Sequence, residues 1–70
     1  MEYLGKWQSK THIDMEIMNT DLQLAPGSIV DVLEERGYQV LIHDDQQSIS
    51  YWFDKSFLDQ FERVLDTKQQ

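Results

Sequence analysis

His43, Asp44 and Asp45 stand in succession, the group of side chains in this sequence best suited to hold a cation. Imidazole and carboxylate both bind divalent metals, but a site needs three or more ligands at fixed geometry. His12 is the only other histidine, and no spacing brings it to that group. A solvated turn is the expected role, with no metal and no cofactor. The chain has no cysteine nucleophile and no Gly-x-Ser-x-Gly elbow, and its three glycines form no phosphate-cradling loop. Paired carboxylates could still do acid–base work, but they need a water-excluding cleft that a small core has little room for. The expectation is a protein that is not an enzyme.

Tyr51, Trp52 and Phe53 place three rings in a row. A strand sends successive side chains to opposite faces, so Tyr51 and Trp52 cannot both enter one core. With Tyr51 and Phe53 inside, Trp52 points outward, and interfaces are enriched in exposed tryptophan. Structural use competes with this. Trp52 could itself be core, or Tyr3, Leu4 and Trp7 could cover it. The candidate binding set is therefore Tyr51 and Trp52 with Asp44, Asp45 and Asp54, in a stretch that has no base before Lys55. A ring beside carboxylates suits an arginine- or lysine-bearing partner.

Charge points the same way. Thirteen acids face six bases, for a net charge of −7. Residues 12–66 hold twelve of the acids against Arg36, Lys55 and Arg63 alone. Phosphate backbones and anionic lipid call for basic patches, so neither nucleic acid nor a membrane surface is an expected partner. A protein with a basic surface is. No apolar run reaches the roughly 18 residues that a membrane helix needs. The absence of cysteine favours a reducing compartment, so the cytoplasm is expected.

Elements must position these groups. Seventy residues are read as one domain, with residues 1–11 an extension and residues 67–70 a frayed tail. Ile13, Met15 and Ile17 alternate with Asp14 and Glu16, a strand with one wet face. Asn19, Thr20 and Asp21 are turn chemistry, and Pro26-Gly27-Ser28 is the clearest punctuation. Residues 28–43 admit two readings. As a hairpin, two apolar runs flank a turn at Arg36-Gly37, a type I turn closed by a glycine bulge. As a helix then a strand, Ser28 caps the start and Gly37 ends it. The β-branched content of residues 29–33 favours the hairpin. Residues 49–53 form a further strand, with Ile49, Tyr51 and Phe53 on one face. Phe57, Leu58, Phe61, Val64 and Leu65 then make a helical stripe, with Ser56 and Asp59 as a capping box.

The fold expected is mainly β, a small antiparallel barrel with a C-terminal helical segment. Its alternative is a two-layer α+β domain in the order β-α-β-β-α. The runs 26–33, 37–42 and 51–54, followed by Phe57-Leu58, resemble the pattern of SH3-like small barrels. The Ala-Leu-Tyr-Asp-Tyr opening and the Pro-Ser-Asn-Tyr-like segment of signalling SH3 domains are missing, so proline-rich ligands do not carry over. The expected role is a small acidic protein-interaction module, an adaptor or accessory subunit. The alternative is an acidic inhibitor or nucleic-acid mimic that blocks a basic cleft of another protein.

Overall fold

The computed structural model describes residues 3–64. Seven strands and one 3₁₀ turn follow in order. They are β1 Gly5–Ser9, β2 Ile13–Ile17, β3 Thr20–Leu24, β4 Ile29–Arg36, β5 Gln39–Asp44, β6 Ile49–Asp54, the turn Lys55–Gln60 and β7 Phe61–Arg63. One sheet has the order β6-β5-β4-β1-β7, and β2 with β3 forms a separate hairpin. Every pairing is antiparallel. No ladder joins β6 to β7 among the described residues, so the sheet is not closed.

Residues 28–36 carry β4, which removes the α+β alternative. The hairpin turn lies one residue later than expected. Arg36 pairs with Gln39, leaving Gly37 and Tyr38 as a two-residue loop. Gly37 has φ 59, the positive value that a type II′ turn requires at its first central position. The β2–β3 turn is displaced the other way. Met18 and Asn19 form it, with φ 48 and 70, while Thr20 and Asp21 already belong to β3. Both central residues at positive φ make a type I′ turn, which suits the twist of a hairpin.

Two further expectations are corrected. Within the stretch expected to be an extension, Gly5–Ser9 form β1, which lies inside the sheet between β4 and β7. The closing helix is only the 3₁₀ turn, and Phe61 starts a strand by pairing with Ser9. Asp54 stands at the head of that turn with extended backbone and no side-chain cap bond, so the Ser56–Asp59 capping box does not form. Leu65 and residues 67–70 lie outside the described residues.

One face of the large sheet carries the core. Val30, Val32, Val40, Ile42 and Ile49 are buried on it, and the hairpin brings Ile13, Leu22 and Leu24 against them. Leu58 and Phe61 complete the cluster from the C-terminal end. Phe57 stands between Phe53, at 4.4 Å between ring centroids, and Phe61, at 5.4 Å.

Two stability outcomes follow from this packing. Phe61 is 4% exposed, so Phe61→Ala should cost about 3–5 kcal/mol. That approaches the whole stability of a domain this small, and the variant should be largely unfolded in a denaturant titration. Met18 holds a left-handed backbone with its side chain in water. Asparagine tolerates that conformation, so Met18→Asn should raise stability by about 1 kcal/mol in the same measurement.

Candidate functional site

The outer face of the large sheet follows from strand parity. On β5, Val40, Ile42 and Asp44 point to the core, so Gln39, Leu41 and His43 point outward. Cross-strand register then places Trp52 opposite Leu41, Ser50 opposite His43 and Asp54 opposite Gln39. On β4 the register shifts between Val32 and Glu34, a bulge that leaves Leu33 without a partner. An extra residue at a bulge re-aims side chains. Leu33 is turned into water, 51% exposed, beside Leu41 and its partner Glu34.

Register places Leu41 and Trp52 in a half-buried apolar row between two polar rows, with Leu33 next along β4 from Glu34 at its end. On one side lie Arg36, Gln39 and Asp54, joined by register across the strands β4, β5 and β6. Arg36 places its guanidinium carbon 5.1 Å from the centre of the Trp52 ring and a nitrogen 3.5 Å from Glu34. The other polar row crosses four strands: Lys6 opposite Asp31, Asp31 opposite His43, and His43 opposite Ser50. Lys6 Nζ donates to Asp31 Oδ1 at 2.9 Å. His43 Nδ1 lies 2.6 Å from Ser50 Oγ, and its Nε2 lies 2.8 Å from Asp45 Oδ1.

Serine, imidazole and carboxylate are thus linked in the order of a nucleophile relay. The carboxylate end of the relay is open to solvent. Asp45 has 85% of its side chain in water, so solvent competes for the carboxylate that would orient the ring. The relay's firm consequence is positional: it fixes the imidazole and ties β5 to β6. Among the described residues no group of three or more histidine and acidic side chains is arranged to hold a metal ion.

The five expected binding residues divide between the two faces. Trp52 and Asp54 lie on the outer face, two residues apart on β6, and Asp45 joins them through its bond to His43. Tyr51 and Asp44 lie on the core side. Tyr51 packs half-buried against the core. Asp44 is buried, and its Oδ2 accepts from the Gln47 backbone N–H at 3.3 Å, closing the turn before β6. Tyr3 and Trp7 do not cover Trp52, since both pack against the core cluster and Trp7 Nε1 donates to the Tyr3 carbonyl. Leu33, Leu41 and Arg36 were absent from the expected set. The signal for Leu33 was present: strict alternation after Val30 and Val32 would send Glu34 into the core, a conflict that a bulge resolves.

An open concavity of about 340 Å³ is lined by Leu4, Leu33, Glu34, Glu35 and Gly37. Lys55 Nζ reaches Glu35 Oε2 at 2.7 Å and also sits 4.9 Å from the centre of the Tyr3 ring. Its hydrogen bond holds the Glu35 carboxyl below the usual carboxylate value. Asp31 raises the pKa of Lys6 by hydrogen bond and by charge, and Asp45 adds to the field.

No protein-family model, no curated protein and no solved structure matches this chain.

The Lys55–Glu35 pair has a measurable acid limit. A depressed carboxyl stabilises the fold above its unfolded pKa and loses that contribution as pH falls through the folded one. Glu35, followed by NMR through an acid titration, should titrate below the ordinary carboxylate range. Lys55→Met should move that midpoint upward. An unchanged midpoint would mean that the ion pair is not populated in solution.

Proposed function

We propose that this chain is a small, acidic, non-catalytic protein-interaction module, an adaptor or accessory subunit that binds through the outer face of its sheet. One observation carries the reading. The sheet packs its core on one face, and on the other it holds Leu41 directly opposite Trp52, both half-buried, with the Arg36 guanidinium over the Trp52 ring and the exposed Leu33 at the nearby bulge. Large apolar side chains grouped on a wet face, with charges around them, are the anatomy of a contact surface. Trp52 is the anchor on this reading, and the Arg36 stacked on it models what a partner's arginine would do there.

The same reading places the fold among SH3-like small barrels, here open between β6 and β7. A leading strand, an inserted hairpin, a three-stranded meander, a 3₁₀ turn and a short last strand returning to the first support it. Fold does not fix the ligand. The partner is a protein with a basic surface, since the chain carries −7 and offers no basic patch for phosphate or anionic lipid. The site of action is cytoplasmic on this reading, supported by the lack of cysteines. No described helix is long and apolar enough to cross a membrane.

A specific observation favours the second reading, an acidic inhibitor or nucleic-acid mimic. Glu16 lies directly opposite Asp21 on the β2–β3 hairpin, with Asp14 on the same outward face. Like charges in that position destabilise a hairpin, so a use for them outside the fold is the simplest account.

Binding partners captured from native lysate separate the two. For the module, capture should persist in high salt, and Trp52→Ala should weaken a purified partner by about thirtyfold, as expected of a tryptophan hot spot. For the inhibitor, capture should fail in high salt and on replacing Asp14, Glu16 and Asp21 by their amides, while Trp52→Ala changes little. Turnover of an activated ester that is lost in Ser50→Ala would overturn the non-catalytic part of the reading.

A further inference from the structure

The edges of the two sheets are not equally protected. An open edge presents unpaired N–H and C=O groups, which proteins normally blunt by shortness, charge, proline, a bulge or a covering segment. β7 is three residues long. The edge of β3 is plugged by a side chain: Gln47 donates from Nε2 to the Asp21 carbonyl at 3.2 Å and accepts from the Gln23 N–H at 3.1 Å. A primary amide there imitates the peptide group of a neighbouring strand. The outward positions of β2 carry Asp14 and Glu16.

β6 has only one of these devices, the charge of Asp54 at its end. It is six residues of strand-forming sequence, Ile-Ser-Tyr-Trp-Phe-Asp, with no proline, glycine or basic residue. Its register with β5 runs unbroken from Gln39↔Asp54 to Asp44↔Ile49, without a bulge. Sheet order puts β5 on one side of it and no strand on the other. No backbone hydrogen bond from any turn or loop of the described chain reaches it.

We infer that the free edge of β6 is a strand-addition site, and that its occupant is an extended, basic segment of a partner protein. In this mode main-chain hydrogen bonds supply affinity and alternate side chains supply specificity. Charge sets the choice. Asp45 and Asp54 flank β6 at the surface, no base occurs from residue 44 to residue 54, and the Lys55 ammonium is held by Glu35. A strand laid on this edge would set alternate side chains on the outer face beside Trp52 and Asp54. Arginine or lysine fits there, stacking on the ring and pairing with the acid. Apolar residues between them would face the Tyr51 and Phe53 side. A second copy of this chain fits poorly, because each copy brings a charge of −7.

The inference rests on the interaction-module reading, and the test keeps the two apart. The probe is a synthetic hexapeptide of alternating arginine and valine, added to the full chain, with amide hydrogen exchange read by NMR. Exchange should slow by about tenfold or more at every second amide of β6, the period-two mark of a new ladder. The protection should weaken with added salt and be absent with the same peptide carrying glutamate for arginine. The decisive control is the arginine–valine peptide with every amide nitrogen methylated, which keeps its charges and side chains but cannot pair. If that peptide still binds, shifting Trp52 and Leu41 without protecting β6, the edge proposal falls while binding by the face stands. Absence of β6 protection with the unmethylated peptide also overturns the proposal. So does protection that grows with protein concentration alone, which would assign the edge to a second copy.

Discussion

Three rings span the two ends of this sheet. Hydrogen bonding runs out at β6 on one side and β7 on the other, and no ladder joins them among the described residues. Phe53 on β6, Phe57 in the 3₁₀ turn and Phe61 at the start of β7 bridge that gap, Phe57 stacking on Phe53 and meeting Phe61 at a tilt. Ring pairs at such separations contribute about 0.5–1.5 kcal/mol beyond the area they bury. Their position matters more than that increment. The turn is too short to form a core of its own, and Phe57 and Phe61 pack it where β7 pairs with β1, with Ser9 opposite Phe61. Without that pairing β1 would have a partner on one side only, and the last part of the core would lose its cover.

Strand parity turns that frame into two unlike surfaces. Val40 and Ile42 go in, so Leu41 and His43 go out, and every cross-strand partner inherits the choice. The bulge on β4 resets parity partway along. Before it Val30 and Val32 face the core. After it Glu35 stands opposite the buried Val40, and Glu34 takes the outer face opposite Leu41. Glu35 reaches the end of its strand and is met by Lys55, so the charge at core parity is paired rather than stranded. The cost of the bulge is one residue without a partner, and that residue is Leu33.

Much of this was legible in the sequence, and the misses have identifiable causes. Alternation was strong where each strand has one wet face, as in Ile13, Met15 and Ile17, and those elements stand where the pattern puts them. The hairpin of β4 and β5 was legible from β-branched residues that fit a pleated surface better than a helix. β1 was not, because Gly5-Lys6-Trp7-Gln8-Ser9 has one large apolar side chain, and its place is fixed by partners far along the chain. Gly5 has φ 119 there, with the Arg63 guanidinium 3.4 Å from where a Cβ would be. That neighbour is invisible to any local pattern. The helical stripe misled because Phe57 and Phe61 are four apart, a spacing that serves a tilted ring contact as well as a helix face. Asp44 was misplaced for a simpler reason. It shares parity with Val40 and Ile42, but its neighbours made it look like part of a polar turn, whereas it closes that turn from inside.

Charge and shape divide the work of recognition unequally on the functional reading proposed. A surface with −7 acts over a Debye length of about 8 Å at physiological salt, which guides encounter and excludes acidic competitors. It cannot select one basic protein among many. Selection needs contacts made only when two surfaces meet, and the row of Leu33, Leu41 and Trp52 is where such contacts are concentrated. Arg36 bears on how that row would be used. Its guanidinium lies over the Trp52 ring and against Glu34, so the ring is partly shielded while the chain is alone. The side chain is 77% exposed and held by one ion pair at 3.5 Å, a weak restraint that a better-placed cation could replace. On this reading the free protein keeps its stickiest ring covered by a displaceable group of the same chemistry as the ligand. Such a cover limits self-association, and it lowers affinity for any partner that brings no cation of its own to that ring.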